Sequence, residues 1–250
     1  MTLEEIRLTN AAEFISTLEE VAVLLDAADS HEENEIEYAA FNKSALLLLT
    51  GKFENFAESI AEDYIACINN LQPCCTLIPH NLRLQHTFKM LADLETYKKK
   101  NKQAEAIDAF LELGSLWVSD RNFTNLNVDC KFSYGKHGES ELKKLFSKIG
   151  IDNLFEEVQV FKCQETFFGN DNSRIRVDFK GTFNSITGMR NNILHQNASP
   201  SLTTPMVRNF KEEFQLFAQE LETHLNNELL RISKICLPEE EITHNTPVEE

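Results

Sequence analysis

No stretch of this chain approaches the roughly 18 consecutive apolar residues of a membrane-crossing helix; apolar runs such as Ala45 to Leu49 are far too short. The opening Met1-Thr2-Leu3-Glu4-Glu5 is acidic and lacks the positive region and apolar core of a signal peptide. Together these absences lead us to expect a soluble, cytoplasmic protein with no membrane partner. Cysteines at 67, 74, 75, 130, 163 and 236 form no C-x-x-C pair and no Cys/His cluster at zinc-ligand spacing, and the histidines are scattered. No metal site and no cofactor is therefore indicated. The adjacent Cys74-Cys75 suit redox chemistry or a soft metal ion, but reduced thiols are the expectation in cytosol. There is no Gly-rich phosphate loop and no internal repeat. Cations are also scarce, with 24 Lys and Arg against 40 Asp and Glu for a net charge of −16. That balance opposes nonspecific nucleic-acid binding, because backbone affinity comes from Lys and Arg neutralising phosphates.

What is present points to a packed helical protein. With 250 residues, 42% of them hydrophobic and 18 Phe, the chain can bury a sizeable core. Charge is unevenly spread. Residues 1–97 are strongly acidic, residues 191–250 acidic, and residues 98–190 hold most of the cations. Among these are Lys98-Lys99-Lys100-Asn101-Lys102, Arg174, Arg176, Lys180 and Arg190. The lysine run suits a solvated helix end better than a nucleic-acid path, although an RNA path over this third remains open. The acidic ends suit repulsion of stray nucleic acid or reception of a basic partner.

Hydrophobic periodicity places the elements. A first helix is expected over 3–29, with Ile6, Phe14, Leu18, Val21 and Leu25 on one stripe. A long helix over 35–71 carries Phe53, Phe56, Ile60, Tyr64, Cys67, Ile68 and Leu71 at spacings typical of a buried bundle helix. Glu54, Glu58, Glu62 and Asp63 fall off its stripe, as a solvated face would. Pro73 ends it. Further helices are expected over 80–97, opened by Pro79, and over 103–117, with Ala106, Phe110, Leu113 and Trp117 inward and the tryptophan in the core. Residues 119–138 suggest loop, 139–150 a compact helix closed by Gly150, and 154–163 fits helix or strand, with helix preferred. A turn cluster at 168–173 precedes a helix that starts between Arg174 and Phe179 and breaks at 196–200. Thr204 and Pro205 then suit the N-cap and first turn of a last helix to about 234, with Phe210, Phe214, Phe217, Leu221, Leu225 and Leu229 inward. We expect one helical domain over 1–235, its first 30 residues an accessory helix, and a disordered acidic tail over 236–250.

The stretch Gly188-Met189-Arg190-Asn191-Asn192-Ile193-Leu194-His195 stands out, since it sets an arginine and a histidine five apart in a helix. At 100° per residue Asn191 and His195 share a face, while Arg190 lies roughly 140° from His195. Two copies packed about a twofold axis could pool both residue types in one cleft. These residues match the R-N-x-x-x-H form of the motif carried by HEPN-domain ribonucleases, and the chain resembles the RiboL-PSP type most. Ala45 to Phe56, with Phe53-Glu54-Asn55-Phe56, is similar to the family's early core helix and its F-E-x-F. Phe132-Ser133-Tyr134-Gly135 through Ile151 is similar to a segment ahead of the motif helix. An Arg/His pair at four-to-six spacing arises about 0.7 times by chance in such a chain, and about 0.06 times once Asn must follow the Arg.

The resemblance implies an all-α, HEPN-like antiparallel helical bundle with additional helices, and a homodimer through the motif helix. It further implies metal-independent RNA cleavage, with the ribose 2′-hydroxyl attacking the adjacent phosphate, in a toxin–antitoxin or antiviral defence system with a partner protein. The residues suit that chemistry. Histidine exchanges protons near neutral pH, and arginine offers a permanent forked donor to phosphate oxygens. His195 is thus expected as general base or acid, Arg190 as transition-state stabiliser, and Asn191 as orienter of the imidazole or phosphate ligand. Arg174, Arg176 and Lys180 are candidate RNA contacts, and Glu54 a supporting residue. Two rival expectations are a noncatalytic interaction module and a sensor that binds RNA or a nucleotide without cutting.

Overall fold

A computed structural model of the chain describes residues 6–118, 121–123, 125–133, 137–164, 173–195 and 201–236. Its architecture is all-α, with one small two-stranded sheet among the described residues. In chain order the helices are α1 (Asn10–Thr17), α2 (Glu19–Ser30), α3 (Glu35–Leu71), α4 (His80–Lys99), α5 (Gln103–Leu116), α6 (Glu139–Lys148) and α7 (Leu154–Glu157). Strands β1 (Phe161–Gln164) and β2 (Ser173–Arg176) follow, then α8 (Phe179–His195) and α9 (Thr204–Cys236). No helix among the described residues is long and apolar enough to cross a membrane. The expected turn at Phe168 to Asn172, the break at 196–200 and the acidic tail beyond Cys236 lie outside the described residues.

The axis of the fold is α3, about 55 Å long at 1.5 Å per residue. Asn34 caps it, its side chain accepting from the Glu37 amide at 3.4 Å, with Glu35 and Glu37 favourably placed in the first turn. At the other end Gln72 turns left-handed (φ 49°, ψ 51°) ahead of Pro73, and the helix stops. Phe53, Phe56, Ile60, Tyr64, Ile68 and Leu71 are all buried, as their spacing predicts. Helices α1, α2, α8 and α9 pack around α3. The stripe of α9, from Phe210 to Leu229, is likewise buried.

Several expectations are corrected. Of the helix expected over 3–29, residues 7–9 lie outside any helix and α1 runs from Asn10, because Asn226 clamps the Leu8 backbone, accepting from its N–H at 2.9 Å and donating to its carbonyl at 3.2 Å. It is also divided at Leu18 into α1 and α2. The start of α9 shifts by one residue. Thr203 is the cap, its hydroxyl accepting from Met206 at 3.4 Å, while the Thr204 amide donates to the Tyr38 hydroxyl at 2.9 Å. Residues 154–163 split into one helical turn and an extended run. Val158 and Val160 are buried and Gln159 is not, a period of two that leads into β1.

Strand β1 pairs antiparallel with β2, Phe161 opposite Arg176 and Cys163 opposite Arg174. Arg174 and Arg176 therefore lie on a strand, and the motif helix starts only at Phe179, where the Asp178 carboxylate accepts from the Gly181 amide at 3.0 Å. Finally, Phe110 is 66% and Trp117 42% exposed, against the inward placement expected for both. The tryptophan instead closes the edge of the α4–α5 hairpin, donating from Nε1 to Thr87 at 3.1 Å with the Arg83 guanidinium 4.9 Å from its ring.

Candidate active site

An aromatic junction fixes where α8 sits. Phe179 and Phe183 of α8 face Phe53 of α3 and Phe214 and Phe217 of α9, with Phe179 and Phe217 stacked at 4.0 Å and Phe53 edge-on to Phe214 at 4.5 Å. Ile186 continues the same buried stripe. Burial of each such side chain stabilises by about 1.5–3 kcal/mol, so the register of α8 against α3 is firmly set. One residue beyond Phe53, Glu54 projects towards α8.

Glu54 meets Arg190 there. The guanidinium Nη2 lies 3.8 Å from Glu54 Oε2, and both side chains are largely covered, at 16% and 21% exposure. The other oxygen, Oε1, lies 2.7 Å from Nδ1 of His137, off line for a hydrogen bond, and the two form an ion pair when the imidazole is protonated. Glu54 is thus shared between an arginine and a histidine, one oxygen to each.

His137 reaches this place through the segment between α5 and α6. The acids that were expected to form a solvated face of α3 hold that segment instead. Glu58 accepts from the Phe132 amide at 2.8 Å, and Lys131 bridges Glu58 at 3.2 Å and Glu62 at 2.8 Å. Asp63 binds the Asn10 side chain at 2.6 Å. Spaced by four, Glu54, Glu58 and Glu62 line one edge of the helix and lay the chain along it. Gly138 then turns with φ +108°, a conformation that disfavours side chains, and lies against Thr187 of α8.

Glu139 completes the tie between α6 and α8. It receives Lys143 at 2.7 Å, Lys180 at 3.1 Å and Asn184 at 3.0 Å. These donors, Lys143 first and then Asn184, hold its carboxyl down to about 2.

The structure brings some of the expected site residues together and leaves others apart. Arg190 and Glu54 meet, whereas His195 stands exposed at the last position of α8, with no hydrogen bond or ion pair among the described residues. Asn191 is half-buried and likewise without a hydrogen bond there. Arg190 faces inward and His195 outward, as their roughly 140° separation requires. Gly188 is exposed with open space about it, so it does not disturb the turn that carries Arg190. Of the three candidate RNA contacts, Lys180 is engaged by Glu139. Arg176 donates to the Phe155 carbonyl at 3.3 Å and lines a cleft of about 290 Å³ with Phe179 and Lys180. Arg174 is exposed on β2.

His137 is the residue that sequence reasoning missed. Nothing in its spacing marks it, and only the His137-Gly138 pair ahead of a helix start was available as a signal. No group of three or more His, Cys, Asp or Glu side chains among the described residues is arranged to hold a metal ion.

Residues 12–227 match the model of the RiboL-PSP-HEPN family. No curated protein and no solved structure matches the chain. The match takes in α3, the 125–138 segment and the whole of α8, and with it Glu54, His137, Arg190, Asn191 and His195. The chain belongs to the RiboL-PSP-HEPN family.

Proposed function

We propose that this protein is a metal-independent endoribonuclease that cleaves RNA by attack of a ribose 2′-hydroxyl on the adjacent phosphate. The observation that carries this reading is the state of α8. It ends in an exposed histidine free of partners among the described residues, one and a half turns after an arginine that a carboxylate already steadies. His195 exchanges the proton. Arg190 stabilises the charge that builds on the phosphate oxygens, and Asn191, on the His195 side of the helix, orients the imidazole or a phosphate. Because Arg190 and His195 point apart within one chain, the working site combines them across a homodimer in which two α8 helices face each other. Leu194, 49% exposed beside His195, suits that contact. Arg174, Arg176 and Lys180 lead the RNA towards it. The setting, a bacterial toxin–antitoxin or antiviral system with a partner protein, follows from family resemblance.

The test is incubation of purified protein with labelled single-stranded RNA in EDTA. Wild type is expected to leave 2′,3′-cyclic phosphate and 5′-hydroxyl ends, and to spare the same sequence made as DNA. His195→Ala and Arg190→Ala are each expected to lose about 100-fold or more. Unchanged cleavage by the double variant would defeat the proposal.

The alternative is a noncatalytic interaction module or an RNA- or nucleotide-binding sensor. It is favoured by the carboxylate already set beside Arg190 and by the net charge of −16. Under the module reading, pure protein cuts nothing at any concentration and binds a basic partner in a salt-sensitive way. Under the sensor reading, ligand binding saturates without turnover.

A further inference from the structure

We propose that His137 is a positioning residue of the Arg190 site: by holding one carboxylate oxygen of Glu54, it leaves the other oxygen fixed towards the Arg190 guanidinium. This rests on the ribonuclease reading for its kinetic consequence, though not for its geometry.

Three observations converge on it. The distances, 2.7 Å from Oε1 to His137 Nδ1 and 3.8 Å from Oε2 to Arg190 Nη2, show both oxygens of one carboxylate committed to different partners. A carboxylate with a single partner can rotate about its terminal torsion, which is broad for glutamate; a second partner removes that freedom. Next, all three side chains are largely withdrawn from water, at 22%, 21% and 16% exposure, where charge contacts are screened less. Finally, the approach of His137 is built rather than incidental. Lys131 and Phe132 are anchored to Glu58 and Glu62, Gly138 makes a turn that disfavours side chains, and Glu139 pins the following helix to Lys180 and Asn184 of α8. The histidine is thus held from both sides.

The consequence lies in how Arg190 meets a phosphate. A guanidinium presents its donors in a fixed planar fork, so its orientation decides whether two of them reach the phosphate oxygens. At 3.8 Å Glu54 is close enough to orient Arg190 by charge yet makes no short hydrogen bond that RNA would have to break. His137 keeps the carboxylate in that position.

The experiment compares full-length wild type with His137→Ala, Glu54→Gln and the His137→Ala/Glu54→Gln double variant. In single-turnover and steady-state RNA cleavage, His137→Ala is expected to lower kcat between about 10- and 100-fold with little change in KM. The double variant should be no worse than Glu54→Gln alone. Wild-type kcat in His137→Ala, or additive losses in the double variant, would each overturn the proposal. The second readout needs no cleavage: the Arg190 Nε–H resonance in nitrogen-15 spectra. It should be well dispersed in wild type and shift towards the free-arginine position in both His137→Ala and Glu54→Gln. A resonance unmoved in folded His137→Ala overturns the positioning role, even if the protein proves not to cut RNA. A shifted resonance with no wild-type cleavage sustains the positioning role and defeats the ribonuclease reading alone.

Discussion

The aromatic junction and the α4–α5 hairpin are written in the same sequence language, apolar residues at spacings of three and four, yet they end in opposite environments. Phe53, Phe179, Phe183, Phe214 and Phe217 are buried in contact with one another. In α5, Ala109 and Leu116 are buried against α4, while Ile107, Phe110 and Leu111 are 61%, 66% and 65% exposed. At 100° per residue those three fall on one side of the helix and Ala109 and Leu116 nearly opposite. Periodicity therefore tells which residues share a stripe. It does not tell whether another helix faces that stripe.

Substitutions should separate the two regions sharply. Phe53→Ala removes a ring that touches Phe14, Phe56, Phe179, Phe183, Phe214 and Phe217, and is expected to cost about 3–5 kcal/mol in urea unfolding. An effect smaller than about 1 kcal/mol would mean that the junction is loosely packed.

The Glu139 tie between α6 and α8 should show a smaller, pH-dependent effect. Its carboxyl titrates near 2 in the folded protein against an ordinary 4.5, so its stabilisation is whole above 4.5 and is lost as pH falls from there through about 2. The gap in stability between wild type and Glu139→Gln should close over that window, and a gap constant with pH would remove Glu139 from the tie.

In the hairpin, His86 is fully buried. Its Nδ1 accepts from the Asn127 amide at 2.9 Å, and burial lowers its pKa below 6.5 in spite of the Asn127 carbonyl 3.3 Å away. The unfolded chain takes up a proton that the folded one resists, so this contribution is whole above 6.5 and declines as pH falls below it. The urea midpoint should therefore drop more steeply below pH 6.5 in wild type than in His86→Asn. The smallest effect is expected for Phe110→Ser on the outer face of α5, within about 0.5 kcal/mol. A larger loss there would show that this face is covered in solution.

Much of the fold was legible because most helices bury one stripe against neighbours that are themselves regular. The end of α3 followed from Pro73, and the close of α6 followed from Gly150. That glycine adopts φ +103° while Gly150 and Ile151 donate back to Ser147 and Phe146. The hairpin was misread because the expected stripe, from Ala106 to Trp117, falls between two real ones. The short sheet was missed because its strands are brief and lead into an apolar turn of helix. In the candidate site, Arg190, Asn191, His195 and Glu54 were legible from local motifs. His137 was not, because its partner lies 83 positions away along the sequence and only tertiary folding brings the two together.

The row of carboxylates along α3 also bears on when the site comes into being. Glu54, Glu58 and Glu62 align on one edge only once that helix has formed, and the segment they receive lies far downstream, with Phe132 74 positions from Glu58. Closing so long a loop is entropically costly before any contact rewards it. The contacts that Glu54 makes with His137 and Arg190 accordingly form late in folding: a nascent chain that has made α3 but not yet residues 125–195 carries the acids and none of the groups they are to hold.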